Sequence, residues 1–348
     1  MRYVGMDIHS KTTTFCVIDD EGKICKRGKV YSGETGWLEV VGHWPGEEVM
    51  VALETGNLTW WVVDVLRGAG IDPVVVDARQ MKLISHSKKK SDKHDARALA
   101  DALRGGLAQR YAVHVPREIA RRGRSLLRTR HLIVKQSVAQ WNAARGMLRS
   151  VGVSLKKKDW NNEEGWEAIL EHPAVPVWMK PLLVTHRQMW ELLEAERKSL
   201  DSMVKAELSQ WPQAEIVMEM PGFGPLVSLG VLSYLDDVHR FKRSCQVASY
   251  AGLVPSSRNS GEVIRQGGIT HQGSAMLRHL MVQAGWSAIR SKRLTPGLRK
   301  WFRRLLYKAG PQKAVVALAR RLLVLAHRLL KNGEAYNPAY PRVETSAA

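Results

Sequence analysis

Short apolar runs separated by polar turns open the chain. Residues 3–6 form one run, ending at Asp7, and residues 13–18 a second that is rich in β-branched side chains. The turn Asp19-Asp20-Glu21-Gly22 leads into a third run toward Val30. This pattern predicts a strand, a hairpin and a strand. After Gly36 a short helical stretch reaches Trp44, and residues 49–53 are continuously apolar up to Glu54. Residues 58–66 read as a helix closed by Gly68, and residues 73–76 as a further buried strand. The order β-β-β-α-β-α-β predicts an α/β sandwich, an antiparallel hairpin sheet extended by parallel strands.

Beyond residue 115 the period changes. Leu127, Val134, Trp141 and Leu148 recur at intervals of seven, with Leu126, Ile133 and Met147 alongside, a coiled-coil seam. A second helix over 181–211 contributes Met189, Leu193, Leu200, Val204 and Leu208. Pairing within the chain and pairing between copies bury the same stripe, so both stay open. Further on, Pro221-Gly222-Phe223-Gly224 lies between two apolar helical stretches. This is the layout of a helix-hairpin-helix whose glycine turn (Gly222, Gly224) offers backbone amides to a phosphate, or of a plain helix-helix turn. Residues 255–273 read as a polar loop with Ser256, Ser257 and Ser260. A serine before a glycine, flanked by Arg258 and Arg265, could attack phosphorus, although composition alone favours a hydrogen-bonding loop serine. The expected organisation is an α/β domain over 1–115, a helical coiled-coil region over 116–212, a mainly α domain over 213–333 and a disordered tail over 334–348.

The strand and helix order of the first domain matches the ribonuclease-H-like fold, and the same opening would also suit an actin-like ATPase or sugar kinase. The hairpin tip IHSKTTTF contains no glycine to hold a phosphate, and no second phosphate loop follows, which weighs against the ATPase.

Charge narrows the partner. The 348 residues carry 53 Lys and Arg against 33 Asp and Glu, a net charge of +20. Residues 263–333 hold fifteen basic residues and no acid, including Arg265 and Arg278, and residues 116–158 hold twelve against one. Residues 159–219 reverse the balance, with twelve acids against five bases. Two basic segments around an acidic one point to a polyanion such as DNA or RNA. A basic amphipathic membrane helix is the rival, but it leaves the acidic residues described next unexplained. Three unpaired cysteines, no signal-peptide pattern and a best apolar span broken by Arg320, Arg321, His327 and Arg328 predict a reduced, cytoplasmic protein with no membrane span.

Asp7 and Glu54 each end an apolar strand, where doubly covered sheets place ligand-binding residues. Asp92 and Asp95 follow in SDKHDARALADALRGG, whose Ser91 is a candidate N-cap and whose Ala96, Leu99 and Leu103 keep helical spacing, so the two share a helix face. Any one of the four would serve as a turn or cap. Together they form a repelling carboxylate set, and oxygen ligands without histidine or thiol favour Mg²⁺ or Mn²⁺. Lys88, Lys89, Lys90, Lys93 and Arg97 would hold a phosphate backbone beside it. Asp77 and Asp101 are reserve ligands.

GMDIHS with Asp7, ALETGN with Glu54, SDKHDARALA with Asp92 and Asp95, PGFG at 221–224 and AGLVPSSRNSG at 251–261 together resemble the DEDD transposases of insertion sequences. These are the bridge-RNA-guided serine recombinases, which also include a site-specific DNA invertase. The resemblance spans roughly residues 1–333, in the family's order. It implies a RuvC-like domain, a coiled-coil connector and a C-terminal transposase domain. It further implies Mg²⁺ held by Asp7, Glu54, Asp92 and Asp95, with Ser260 as the nucleophile that forms a covalent phosphoserine with DNA. The implied partners are target and donor DNA, a noncoding bridge RNA and other copies of the chain in a tetramer, a dimer of dimers with shared active sites. The implied setting is the nucleoid of a prokaryotic cell. A RuvC-like junction-resolving nuclease using water, and a nucleic-acid-binding structural protein, are the alternatives.

Overall fold

The computed structural model describes residues 1–77, 92–260 and 263–338, with residues 257–260 and 263–266 described by backbone alone. The chain divides into two compact units, Met1–Val115 and Pro116–Ala348.

The first unit is a five-stranded sheet in the order β3-β2-β1-β4-β5. Its strands are β1 (Arg2–Ile8), β2 (Thr12–Ile18), β3 (Ile24–Tyr31), β4 (Val49–Glu54) and β5 (Val74–Val76). β1 to β3 pair antiparallel, whereas β4 lies parallel to β1 and β5 parallel to β4. α1 (Glu34–Gly42) and α2 (Thr59–Gly68) cover one face, where Trp37, Val41, Val62 and Leu66 meet Val4, Met6, Phe15, Val51 and Leu53 in a closed core. The Trp37 indole donates to the Thr13 hydroxyl at 2.9 Å, so the one polar atom of that buried ring is satisfied. α3 (Asp92–Arg104) covers the other face, with Leu99 and Leu103 on Ala52 and Val76, and Ala96 and Ala100 on Cys16 and Ile18. α4 (Leu107–Arg110) closes the unit.

In the second unit α5 (Glu118–Ser150) and α8 (Lys180–Leu208) form a long antiparallel pair, connected through α6 (Lys157–Asn161) and α7 (Glu163–Glu171). The direction follows from the bonds between them: Arg122 to Glu207, Arg130 to Asp201, Ser137 to Glu194 and Gln140 to His186. The seam thus closes within the chain, and Leu127, Val204 and Leu208 are buried in it. At the distal end Trp160 meets Trp141, Trp166 and Trp190 edge-on at 5.2–5.6 Å.

The remaining helices are α9 (Ala214–Met218), α10 (Pro225–Leu235), α11 (Ser244–Tyr250), α12 (Ala275–Arg290) and α13 (Pro296–Asn332), which kinks at Gly310 before Pro311. They share one core with the proximal end of α5 and α8: Ala120, Leu127 and Val204 pack with Leu229, Met281 and Leu318. Two expectations change. Residues 255–260 and 263–269 pair as antiparallel strands, β6 (Pro255–Ser260) and β7 (Val263–Ile269), where a loop was expected. Within the segment expected to be disordered, Tyr336 is held by its hydroxyl donating to the Arg293 carbonyl at 3.0 Å.

Candidate metal centre and nucleic-acid contacts

Strand alternation decides which carboxylates can meet. Along β1, Val4 and Met6 enter the core under α1 and α2, so Gly5 and Asp7 face α3. Along β4, Val51 and Leu53 go to the first face and Ala52 to the second, which sends Glu54 toward α3 as well. Met6 pairs with Leu53, so Asp7 and Glu54 occupy the next row of adjacent parallel strands. Gly5 is what lets α3 come close. A Cβ at that position would sit 2.0 Å from the Ala96 carbonyl oxygen and 2.6 Å from the Ala100 nitrogen, so only hydrogen fits. The first turn of α3 then brings Asp92 to the ends of the strands.

Asp7, His9 and Asp92 each offer a ligand atom, and these atoms all lie within 4.8 Å of one another. His9 Nε2 is 3.2 Å from Asp7 Oδ2 and 3.7 Å from Asp92 Oδ1. Lys29 of β3 donates to Asp92 Oδ2 at 3.3 Å. Burial pushes the Asp7 carboxyl above its ordinary range; the charges of Asp92 and Asp95 add to this, and His9 opposes it. The Lys29 bond, in contrast, holds Asp92 below the ordinary range. A half-buried carboxylate facing two others is an environment that a cation relieves, and the donors present suit a hard divalent ion. The expected cage contained oxygen alone, whereas the described residues put an imidazole in it. His9 follows Asp7 by two residues, and that spacing in GMDIHS is the signal that could have found it. Asp95 acts on Asp7 through its charge, while Glu54 reaches the same face from β4; neither belongs to the compact trio.

Among the expected phosphate contacts, Lys93 is exposed on α3. Arg97 is engaged within the unit, with Nε on Asp101 at 2.7 Å and Nη2 on the Gly22 carbonyl at 2.9 Å, which also gives Asp101 a partner. Asp77 directly follows β5. Lys88, Lys89, Lys90 and Ser91 lie outside the described residues. Arg278 Nη1 donates to the Ala251 and His271 carbonyls at 3.1 and 3.4 Å, fastening α12 to the end of α11. Gly222 adopts φ +80°, and a Cβ there would stand 2.2 Å from the Ala284 oxygen. This glycine therefore serves packing on α12, while Gly224 precedes α10 with open space beside it. Ser260 ends β6 opposite Val263, and Arg258 pairs with Arg265 across the hairpin.

A five-stranded sheet consistent with the ribonuclease-H-like fold, with Asp7 and Asp92 brought together at its strand ends, is the arrangement of a DEDD-type domain, a class that typically uses a divalent metal. Two family models carry the assignment further. One, described as "Transposase IS116/IS110/IS902 family", matches residues 214–322, and the DEDD transposase model, described as "Transposase", matches residues 4–153. The "Transposase for insertion sequence element IS1111A" of Coxiella burnetii is 28% identical over 343 residues, covering 97% of this chain and 91% of its own length. A "Probable family 20 transposase" of Pseudomonas aeruginosa is 25% identical, covering 75% of this chain and 82% of its own. The "Insertion element IS116 uncharacterized 44.8 kDa protein" of Streptomyces clavuligerus is 23% identical, covering 99% and 98%. The chain belongs to the IS110/IS116/IS902 family of DEDD transposases, insertion-sequence enzymes that cut and transfer DNA. Among the described residues no helix is long and apolar enough to cross a membrane.

Proposed function

We propose that the chain is an RNA-guided DNA recombinase in which Ser260 is the nucleophile and Asp7, Glu54, Asp92 and Asp95 hold Mg²⁺ or Mn²⁺, with His9 beside them. The observation that supports this most is that ligand atoms of Asp7, His9 and Asp92 lie within 4.8 Å of one another; the Asp7 carboxyl, raised by burial and by the charges of Asp92 and Asp95 against the opposing His9, sits in an environment that a divalent cation relieves. When bound, the metal neutralises charge on the reacting phosphate. Ser260 attacks a backbone phosphorus. Its Oγ–P bond forms as the bond to the 3′ oxygen breaks, the hydroxyl proton passes to that oxygen, and a 5′-phosphoserine remains. The stored phosphoester lets a new 3′-hydroxyl rejoin the strand with no outside source of energy.

A noncoding bridge RNA pairs with target and donor DNA in this reading, which relieves the protein of reading bases. The basic stretches 116–158 and 263–333 supply surface for two nucleic acids. The working assembly is a tetramer, located with the nucleoid in the cytoplasm.

The test is covalent trapping on labelled DNA. Asp7→Asn and Ser260→Ala should both abolish the protein–DNA adduct, and Ser260→Ala should abolish cleavage as well. Cleavage that survives Ser260→Ala would make water the nucleophile and the chain a metal-dependent nuclease of junction-resolving type.

A further inference from the structure

The first half of α13, before its break at Gly310, presents a face that none of the residues above uses. Lys300, Arg303, Arg304, Tyr307 and Lys308 line one open hollow of ≈ 570 Å³. Their spacing of three and four places them on one side of the helix. Tyr307 is 96% exposed. None of the four cations has a hydrogen bond or ion pair with a described residue, and no carboxylate occurs anywhere from 263 to 333. The opposite side is anchored: Phe302 is buried, Leu298, Trp301 and Leu305 pack on the core, and the Arg321 guanidinium lies 3.7 Å over the Trp301 ring, joining the two halves of the kinked helix.

We propose that this face binds an unpaired DNA strand, with Tyr307 stacking on a base and Lys300, Arg303, Arg304 and Lys308 holding the flanking phosphates. An exposed aromatic ring amid uncompensated cations is how proteins grip single strands without reading sequence. A duplex hides its base faces and would engage the cations alone. A membrane surface would need an apolar face to insert, and here that face is spent on the core. Strand cutting and transfer, the family's activity, supplies the unpaired strand. The inference rests on the recombinase reading only for this DNA ligand.

The experiment uses the full chain in EDTA, with fluorescence anisotropy on labelled oligo(dT) of about 20 nucleotides and on a duplex of equal length. Tyr307→Ala should weaken oligo(dT) binding by about tenfold and duplex binding by less than about twofold, and Tyr307→Phe should restore the parent value. Arg303→Ala with Arg304→Ala should reduce the slope of log affinity against log salt by about 1.4. Circular dichroism of each variant should match the parent, since the replaced groups are exposed. Unchanged oligo(dT) binding in Tyr307→Ala, equal loss on duplex, a tighter Tyr307-dependent grip on oligo(U), or Tyr307-dependent binding to phosphatidylserine vesicles would each overturn the proposal. The assay reads binding alone and is run in EDTA, so a failed catalytic reading leaves this result standing.

Discussion

His9 Nε2 sits between two carboxylates, 3.2 Å from Asp7 Oδ2 and 3.7 Å from Asp92 Oδ1. The imidazole either contributes a ligand and orients the acids or acts as a competing positive charge, and the two roles predict opposite signs. With the first role, His9→Ala raises the Mg²⁺ concentration needed for half-maximal cleavage by about 10–100-fold, the usual effect of losing a group that orients metal ligands. With the second, removal of the charge tightens metal binding. We expect the loss of affinity, read by titrating Mg²⁺ in the cleavage assay and Mn²⁺ in calorimetry.

Gly5 lies under α3 with no room for a side chain, its missing Cβ position 2.0 Å from the Ala96 oxygen. Gly5→Ala must push α3 away from β1, and Asp92 moves with it. The variant touches no carboxylate, yet it should lose metal-dependent cleavage by about 100-fold or more, since misplacement by about 1 Å is enough for that. Overpacking should cost about 1–3 kcal/mol in urea unfolding. Full activity in a folded Gly5→Ala variant would separate the position of α3 from the chemistry.

The legible parts of this chain were those written in local period. The apolar runs around Met6 and Leu53 announce strands, and the acids ending them, Asp7 and Glu54, are visible because a carboxylate closes each run. What escaped depends on contacts across elements. His9 reads as a hairpin residue until β1 turns into β2 beside α3. Arg97 and Arg278 read as phosphate contacts because composition reports charge and not partners; one is bound to Asp101 and the other to backbone carbonyls. The hairpin around Ser260 reads as a loop because its strands carry serine, arginine and glycine in place of an apolar alternation.

Gly222 separates two explanations of the PGFG turn. Its left-handed backbone and its approach to Ala284 and Ala288, at 2.2 and 2.7 Å for an added Cβ, make the glycine a packing requirement. Gly222→Ala should therefore destabilise the protein by about 2–5 kcal/mol, combining backbone strain with overpacking, as read by urea unfolding. If the turn instead serves chiefly to present amides to phosphate, the variant will keep its urea midpoint and lose DNA affinity alone.

His327 gives the second unit a defined response to acid. The ring is 2% exposed, its Nε2–H donates to the Val238 carbonyl at 3.0 Å, and its Nδ1 has no hydrogen-bond partner among the described residues. Burial holds its pKa below the ordinary value; Lys331 and His239 push the same way, and the bond to Val238 partly opposes them. A depressed folded-state pKa means that the unfolded chain takes up the proton first. The stabilisation is present above the unfolded value of about 6.5 and disappears as pH falls through the lower folded value. Urea midpoints should therefore decline from pH 7 to 5. His327→Gln, which can still donate to Val238 but cannot become cationic, should flatten that decline while costing about 1 kcal/mol at pH 8 from imperfect geometry. Parallel pH profiles for parent and variant would assign the acid sensitivity to other groups.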